Sequence, residues 1–274
     1  MPALRLSMLQ QLGFKSRRLV ADFGEFGIFA GRMFAWIFRS FTRWRLLAPQ
    51  LYEIGVQSLP VIAATGVFVG MVLAVQVYFQ LRELGFKNYA GLLVNLSVVK
   101  ELGPVLAGVM LSGRVGGALA AELGTMKVTE QIDALVSLAA DPIRYLVVPR
   151  FLACLLLIPF LTVYCDFLGV IGGYAIVVGA YGGSPVDYWY YSARGIETYD
   201  VMAGVIKSFG FGGAIGLISC YKGFHSRPGA EGVGRATTEA FVLSFIAILI
   251  IDLFLAIFFK AFYTAVWGPV PTIV

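Results

Sequence analysis

The sequence of 274 residues has a single histidine, His225, three cysteines and few charged residues, which make up 14% of the chain. The cysteines are Cys154, Cys165 and Cys220; they lie inside or at the edge of apolar stretches, and no CxxC pair occurs. A zinc site needs several Cys, His or carboxylate ligands close together, and a disulfide framework needs cysteines in pairs at regular spacings. We therefore expect neither a metal site nor a disulfide framework.

Sequence motifs of enzymes are missing as well. The chain has no GxxxxGK[ST] phosphate loop, no GxSxG nucleophile turn and no HExxH zinc motif. The glycine-rich stretch PGAEGVGRATTEA, residues 228–240, lacks the lysine that would reach a phosphate, and it predicts a turn instead. We expect no catalytic residue and no cofactor in this chain, so any ATP hydrolysis would belong to a partner protein.

Apolar residues dominate the sequence. They account for 59% of the chain, and the mean hydropathy is +0.82. The stretch from Ile54 to Leu81 contains no Asp, Glu, Lys or Arg. A helix of about 20 apolar residues is long enough to cross the roughly 30 Å hydrocarbon layer of a membrane. The composition therefore predicts an all-α integral membrane protein.

Five apolar runs are long enough to span a membrane: 54–81, 91–121, 146–180, 200–221 and 238–262. The second and third are long enough to tilt or break. The segments outside these runs differ in charge. Those on the side of residues 1–53 hold 14 Lys and Arg, whereas those on the other side hold 3. Because positively charged segments stay in the cytoplasm, we expect a cytoplasmic N-terminus and a C-terminus on the opposite side.

The chain divides into two parts. Residues 46–274 form the predicted transmembrane domain. Residues 1–45 are a basic amphipathic segment, since the part from 14 to 45 interleaves six arginines with Phe and Trp side chains and is too charged to span. Such a segment is typical of a helix that lies in the membrane interface. The alternative is a helix packed on a soluble partner.

A short polar segment separates the second and third runs. Thr129 is suited to cap a helix, and Glu130 and Asp133 suit its positive N-terminal end. With Asp141-Pro142 as its stop, the helix would have about eleven residues and a length of about 16 Å, too short to cross a membrane. It either joins two spans as a solvated loop helix or is a docking helix for a cytoplasmic partner.

Ionisable residues inside the runs are a further signal, because a charge at the bilayer centre costs several kcal/mol unless it meets a partner or a cavity. Lys207 and Asp252 lie in successive runs and are suited to pair. Glu101 precedes the bend expected at Gly103-Pro104, and we expect it to line a polar part of a substrate path; the alternative is that it is buried in an ion pair. The complete set is Lys100, Glu101, Arg114, Asp166, Lys207 and Asp252.

The first run also carries a helical face whose residues follow the i, i+4, i+7, i+8, i+11 spacing: Leu73, Val77, Gln80, Leu81 and Leu84. This spacing is compatible with packing against a helix and with contact to a lipid tail. Pairs of glycines four residues apart, such as Gly66 with Gly70 and Gly169 with Gly173, predict close approach between helices.

Four stretches together resemble the MlaE/YrbE-like permeases of MCE-type ABC transporters, over about residues 46–262. They are GVFVGMVLAVQ (66–76), KELGPVLAGVMLSGRVGGALAAELGTMKVTEQIDAL (100–135), DPIRYLVVPR (141–150) and AEGVGRATTEAFV (230–242). The second stretch is the most specific, because it is long and unusual in composition. The resemblance implies a phospholipid permease of the Gram-negative inner membrane that maintains outer-membrane lipid asymmetry.

The resemblance also implies an assembly. Two copies of the permease would form a homodimer, with two MlaF-like ABC ATPase subunits beneath it that bind ATP and Mg. An MlaB-like STAS-domain protein would bind the ATPases, and an MlaD-like hexamer of MCE domains would lie above in the periplasm. The basic N-terminal segment would be the family's interfacial elbow helix.

Site residues follow from the same resemblance. The face of Leu73, Val77, Gln80, Leu81 and Leu84 would line a lipid cavity, with Lys100 and Glu101 near it. The family often has arginine where this chain has Lys100, and a lysine lacks the guanidinium geometry for a bidentate phosphate contact. The coupling helix that receives the ATPase movement would comprise Thr129, Glu130, Gln131, Asp133 and Leu135.

Two other functions remain alternatives at this point. A secondary transporter independent of ATP would use Glu101, Asp166 or Asp252 as a proton site. A membrane scaffold would use the polar segment only to recruit a cytoplasmic protein and would need no lipid cavity.

Overall fold

A computed structural model describes residues 8–39 and 44–268. Within these ranges every regular element is helical, and five helical segments are long and apolar enough to cross a membrane. We call them spans 1 to 5: Trp44–Glu83, Lys87–Val128, Ile143–Ala180, Thr198–Phe224 and Ala230–Val266. The predicted all-α membrane class and the five spans are confirmed. Each observed span is longer than the apolar run predicted for it, because the helix also includes residues outside that run.

Spans 1 and 2 are built from shorter helices. In span 1, a 3-10 turn at Val56–Ser58 joins α2 (Trp44–Gly55) to α3 (Leu59–Glu83). Span 2 contains three helices and two π-turns, in the order α4 (Ala90–Ser97), Val98–Leu102, α5 (Gly103–Leu111), Ser112–Gly116 and α6 (Gly117–Val128). A π-turn inserts an extra residue into the helix and turns its side chains to a new direction, which is why such turns are frequent at functional sites.

The other elements are longer and more regular. Span 3 consists of α8 (Val148–Tyr174) flanked by π-turns at Ile143–Val147 and Ala175–Ala180. Spans 4 and 5 are α10 (Thr198–Phe224) and α11 (Ala230–Trp267). Outside the spans lie α1 (Met8–Arg39), α7 (Gln131–Ser137) and α9 (Pro185–Gly195). Since successive spans run in opposite directions, α7 and α9 lie at opposite ends of the bundle, here called the α7 end and the α9 end.

Spans 1 and 3 approach each other closely along the predicted glycine pairs. A Cβ atom on Gly66 would lie 2.5 Å from the carbonyl oxygen of Cys165, and one on Gly70 would overlap the carbonyl of Gly169. Only a residue without a side chain fits at such a backbone contact. The prediction of close packing at these positions is confirmed.

Helix α1 lies across the α7 end of the bundle. Its buried side chains, Phe29 and Met33, pack in one cluster with Phe151 and Cys220, whereas Phe23 and Phe38 are largely exposed. Apolar side chains that point away from the protein suit the predicted place in the membrane interface. Of the predicted segment 1–45, residues 1–7 and 40–43 lie outside the described part of the chain.

A hydrogen bond fixes α1 beside the start of span 3. Trp36 Nε1 donates to Asp141 Oδ2 over 2.8 Å, and the second oxygen of this carboxylate accepts from the backbone N–H of Ile143 over 2.9 Å. Asp141 therefore begins the helical path of span 3. The prediction that Asp141-Pro142 stops the preceding helix was wrong, because that helix has already ended at Ser137.

The start of the short polar helix also differs from the prediction. Thr129 is the C-terminal cap of α6, and its hydroxyl donates to the carbonyl of Thr125 over 2.9 Å. Glu130 has a left-handed backbone with φ of 59°, so α7 begins only at Gln131 and has seven residues instead of about eleven. The proposed Thr129 cap was wrong because this hydroxyl satisfies the helix behind it, a competing role that threonine side chains often take.

At the α9 end, a buried tyrosine attaches α9 to span 2. Tyr188 Oη donates to Asn95 Oδ1 over 2.7 Å, and Asn95 Nδ2 donates to Ser192 Oγ over 2.9 Å. Burial raises the pKa of Tyr188 to about 12. The phenol therefore stays protonated and available as a donor across the physiological pH range.

Candidate functional site

A cavity of about 610 Å³ opens between spans 2, 4 and 5 towards the α9 end. Apolar side chains such as Leu96, Ala203, Ala256 and Ile257 form much of its wall. Its polar lining comes from charged and hydroxyl-bearing residues: Lys100, Glu101, Glu197, Tyr199, Asp200, Lys207, Lys260, Tyr263 and Thr264. An apolar cavity with a few convergent polar groups is the usual form of a small-molecule site.

The π-turn of span 2 brings Lys100 and Glu101 to this cavity. The N–H of Gly103 donates to the carbonyl of Val98, five residues back, which is the bond that defines the turn. Pro104 follows and has no N–H to donate to the carbonyl of Lys100, so the regular helical pattern cannot continue through this point. The predicted bend at Gly103-Pro104 thus takes the form of a π-turn.

Five ionisable residues form what we call the charged cluster: Lys100, Glu101, Asp200, Lys207 and Asp252. Lys100 Nζ lies 2.8 Å from Asp200 Oδ1. Lys207 Nζ lies 2.5 Å from Glu101 Oε2 and 3.0 Å from Asp252 Oδ1, although the second contact lacks hydrogen-bond geometry. The predicted pair of Lys207 and Asp252 is confirmed, and Glu101 joins it.

Burial makes these ion pairs necessary. The side chain of Lys207 is 2% exposed, and that of Asp252 is 20% exposed. Removing a charge from water costs several kcal/mol, and a close opposite charge compensates for part of that cost. The pairing also joins three spans, because Glu101, Lys207 and Asp252 lie on spans 2, 4 and 5.

Asp200 is held in place by the start of span 4. Its carboxylate accepts from the backbone N–H of Glu197 over 3.2 Å, and the Glu197 side chain accepts in return from the N–H of Asp200. This reciprocal capping satisfies two N–H groups at the helix start and orients Asp200 towards Lys100. Tyr199 Oη donates to the carbonyl of Phe259 over 2.6 Å, which joins spans 4 and 5 beside the cavity.

Two of the predicted intramembrane residues lie away from the cavity. Arg114 donates to Ser58 Oγ over 2.5 Å and to Gln57 Oε1 over 3.3 Å, so it connects a π-turn of span 2 to the 3-10 turn of span 1. Asp166 is 9% exposed and lies against Gly103. Among the residues that the structure describes, its Oδ1 has no hydrogen-bond partner.

The predicted lipid-contacting face of span 1 is not part of this cavity. Leu73, Val77 and Leu81 are partly buried and pack against a cluster that includes Tyr78 and Val177. The other two residues of the face, Gln80 and Leu84, are exposed. The structure thus separates this face from Lys100 and Glu101, and its contact with lipid stays a prediction.

Several cavity residues were missed by the sequence analysis. Glu197 and Asp200 have the three-residue spacing of a helix-capping pair, which is the signal that would have found them. Lys260 stands in the last apolar run as an ionisable residue and was overlooked there. Tyr199 and Tyr263 have no distinguishing signal in a sequence with 13 tyrosines.

A second candidate surface is α7 itself. Ile132 is buried and Leu135 is partly buried, so these residues attach the helix to the bundle. Lys127 Nζ lies 3.1 Å from Asp133 Oδ1. Val136 and Leu138 are 58% and 77% exposed, so apolar surface remains uncovered at the tip of the segment. The apolar residues of this segment thus divide into two that face the protein, Ile132 and Leu135, and two that do not, Val136 and Leu138.

Possible metal ligands do not cluster within the described ranges. No group of three or more His, Cys, Asp or Glu side chains there is arranged to hold a metal ion. The charged cluster contains three carboxylates, but each of them lies within 3.0 Å of a lysine. Its chemistry is therefore that of ion pairing.

Comparison with known proteins gives consistent matches along most of the chain. The family described as Permease MlaE matches residues 47–258. A Rickettsia bellii protein called "Probable ABC transporter permease protein" is 43% identical over 93% of this chain and 99% of its own length. The Haemophilus influenzae "Intermembrane phospholipid transport system permease protein MlaE" is 37% identical over 79% of this chain and 84% of its own. The Arabidopsis thaliana "Protein TRIGALACTOSYLDIACYLGLYCEROL 1, chloroplastic" is 39% identical over 85% of this chain and 66% of its own.

Proposed function

Because this chain belongs to the MlaE permease family of ABC transporters, we propose that it moves phospholipid between the inner membrane and a periplasmic MCE-domain carrier, and so maintains outer-membrane lipid asymmetry. The observation that carries the proposal is the cavity between spans 2, 4 and 5, which has apolar walls and several ionisable residues in its lining. Acyl chains match the apolar walls, and a polar head group matches the ionisable lining.

The proposed assembly follows the family. Two copies of the chain form a homodimer, two MlaF-like ATPase subunits bind ATP and Mg on the cytoplasmic side, and an MlaB-like protein binds the ATPases. An MlaD-like hexamer covers the periplasmic side. This chain is then a transport subunit, and hydrolysis takes place in its partners. Membership in an ABC permease family favours this function over a secondary transporter or a scaffold.

The orientation in the inner membrane is part of the proposal. The excess of Lys and Arg in the segments at the α7 end supports a cytoplasmic location for that end. The N-terminal segment 1–45 then lies at the cytoplasmic interface, and the cavity opens towards the periplasm. The C-terminus is expected in the periplasm, although residues 269–274 lie outside the described ranges.

We further propose how ATPase movement reaches the cavity. Helix α7 connects the end of span 2 to the start of span 3, and its exposed Val136, with Leu138 just after its end, is suited to contact an ATPase. A displacement of α7 is transmitted along α6 and α5 to the π-turn that carries Lys100 and Glu101. Their ion pairs with span 4, and the pair of Lys207 with Asp252 on span 5, then couple the displacement to the opposite wall of the cavity.

The proposal is tested by filling the cavity. Ala256 lines the cavity on span 5, and Ala256→Trp is expected to block it; Val163→Trp adds similar bulk on the exposed side of span 3 and is the matched control. The complex with its ATPase is purified gently, and the phospholipid retained per chain is measured by native mass spectrometry. We expect loss of lipid in Ala256→Trp and retention in Val163→Trp. Full retention in both variants would exclude this cavity as the lipid site.

A further inference from the structure

Lys260 differs from the other two lysines that line the cavity. Lys100 is paired with Asp200, and Lys207 is paired with Glu101 and Asp252. Among the residues that the structure describes, no carboxylate lies within the 4 Å ion-pair distance of Lys260 Nζ. Lys260 is therefore the lysine of this lining whose charge is available to a ligand.

The charged cluster is unsuited to an anion. It contains two lysines and three carboxylates, so with all five groups ionised it carries one excess negative charge. Repulsion between like charges is much stronger in a low-dielectric environment than in water. A phosphodiester placed beside Glu101 and Asp252 would meet that repulsion, and the Lys100 charge there is already compensated by Asp200.

Distance along span 5 separates Lys260 from Asp252 and from Lys207, with which Asp252 is paired. Lys260 follows Asp252 by eight residues of continuous helix, a rise of about 12 Å towards the α9 end. Ala256, Ile257 and Phe259 lie between these two levels and line the cavity with apolar surface. Tyr263 and Thr264 continue the lining beyond Lys260. Lys260 thus lies near the mouth of the cavity, where Glu197 also contributes a carboxylate, which accepts from Tyr263 Oη over 3.3 Å.

We propose that Lys260 is the phosphate contact of this cavity, and that it binds the phosphodiester of a phospholipid whose chains lie on the apolar wall. This assignment rests on the proposed function. We assign this role to Lys260 and not to Lys100 because the ammonium group of Lys100 is paired with Asp200. A lysine binds phosphate as a point charge, so arginine at 260 preserves the contact and glutamine removes it.

The permease complex in lipid nanodiscs tests this assignment. Binding of a fluorescent phosphatidylglycerol is compared with binding of a diacylglycerol that has the same chains and no phosphate. The variants are Lys260→Gln, Lys260→Arg and the control Arg82→Gln, which removes an exposed cation at the same end outside the cavity lining. For Lys260→Gln we expect roughly tenfold weaker binding of the phospholipid, the effect of losing one charge-assisted contact, with unchanged binding of diacylglycerol. Lys260→Arg and Arg82→Gln are expected to bind like the unmodified protein.

Four results would overturn the assignment. Unchanged phospholipid binding in Lys260→Gln would mean that Lys260 only extends to the membrane surface, as long cationic side chains often do. Equal loss of both lipids would indicate a packing role, and equal loss in Arg82→Gln would indicate a general surface-charge effect. Inorganic phosphate that binds as tightly as the phospholipid would indicate a site for free anions.

The Ala256→Trp variant separates this proposal from the function on which it rests. If it prevents binding of both lipids while Lys260→Gln has no effect, the cavity holds lipid and the Lys260 assignment alone is wrong. If Ala256→Trp binds both lipids normally, the cavity is not the lipid site and both proposals are wrong.

Discussion

Lys207 Nζ on span 4 lies 2.5 Å from Glu101 Oε2 on span 2. The lysine is almost completely buried, whereas the glutamate is 44% exposed to the cavity. The contact therefore joins a group enclosed by the protein to a group that a ligand can reach. A ligand that moves Glu101 would also disturb its ion pair with Lys207. Through Lys207 it would then change the position of Asp252 on span 5.

Lys207→Met is expected to destabilise the protein by about 3 kcal/mol, the lower part of the range for breaking a buried ion pair, because Glu101 is partly screened by solvent. The variant leaves Glu101 and Asp252 without their cation. The loss of stability is measured as the difference in unfolding free energy between the variant and the unmodified protein in a denaturing detergent titration. Adding Asp252→Asn to Lys207→Met removes one uncompensated charge and should recover part of the loss; a single variant as stable as the unmodified protein would show that the pairing contributes little.

Gly70→Ala is expected to separate spans 1 and 3. Its Cβ would overlap the carbonyl of Gly169, and backbone cannot move aside as a flexible side chain can. Overpacking of this kind costs about 1–3 kcal/mol or more. Gly234→Ala is the matched control, since a Cβ there meets no atom within 4 Å. Thermal unfolding of both variants in detergent gives the comparison, and equal melting temperatures would contradict the close approach of the two spans.

Val136→Glu is expected to weaken ATPase binding without affecting the fold. The side chain is 58% exposed on α7, so a charge there costs the isolated chain little but disrupts an apolar contact with a partner. Val186→Glu changes a valine that is 73% exposed at the α9 end and serves as the control. The measurement is co-purification of the ATPase subunit from cells. Full co-purification with Val136→Glu would mean that α7 does not form the docking surface.

Trp36→Phe tests the attachment of α1 to the bundle. The substitution keeps an aromatic ring and removes the hydrogen bond from Nε1 to Asp141 Oδ2, worth about 1.5–3 kcal/mol for a carboxylate acceptor. We expect faster amide hydrogen exchange along α1, with spans 3 and 4 unaffected. Trp44→Phe, at a largely exposed tryptophan, is the control. Unchanged exchange in α1 would show that the apolar contacts of Phe29 and Met33 are sufficient to hold it.

The main architecture could be predicted because membrane insertion is a local property of the sequence. An apolar run long enough to span crosses the bilayer whatever its neighbours are, so all five spans were located. The pair of Lys207 and Asp252 was also predictable, since two opposite charges in successive spans have few other means of compensation. Capping was less predictable, because a threonine hydroxyl can either cap the helix that follows it or donate to a carbonyl of the helix before it. Thr129 does the second, and the left-handed backbone of Glu130 delays the start of α7 to Gln131.

By itself the sequence determined the all-α class, the five spans and the presence of a short polar helix between the second and the third. Only the tertiary structure decided which charges face one cavity, because Asp200, Lys207 and Lys260 come from two spans whose rotation about their axes depends on packing. The π-turn at Val98–Leu102 was decided in the same way. It turns Lys100 and Glu101 towards spans 4 and 5, where the carboxylate of Asp200 and the ammonium group of Lys207 compensate charges that the hydrocarbon layer cannot solvate.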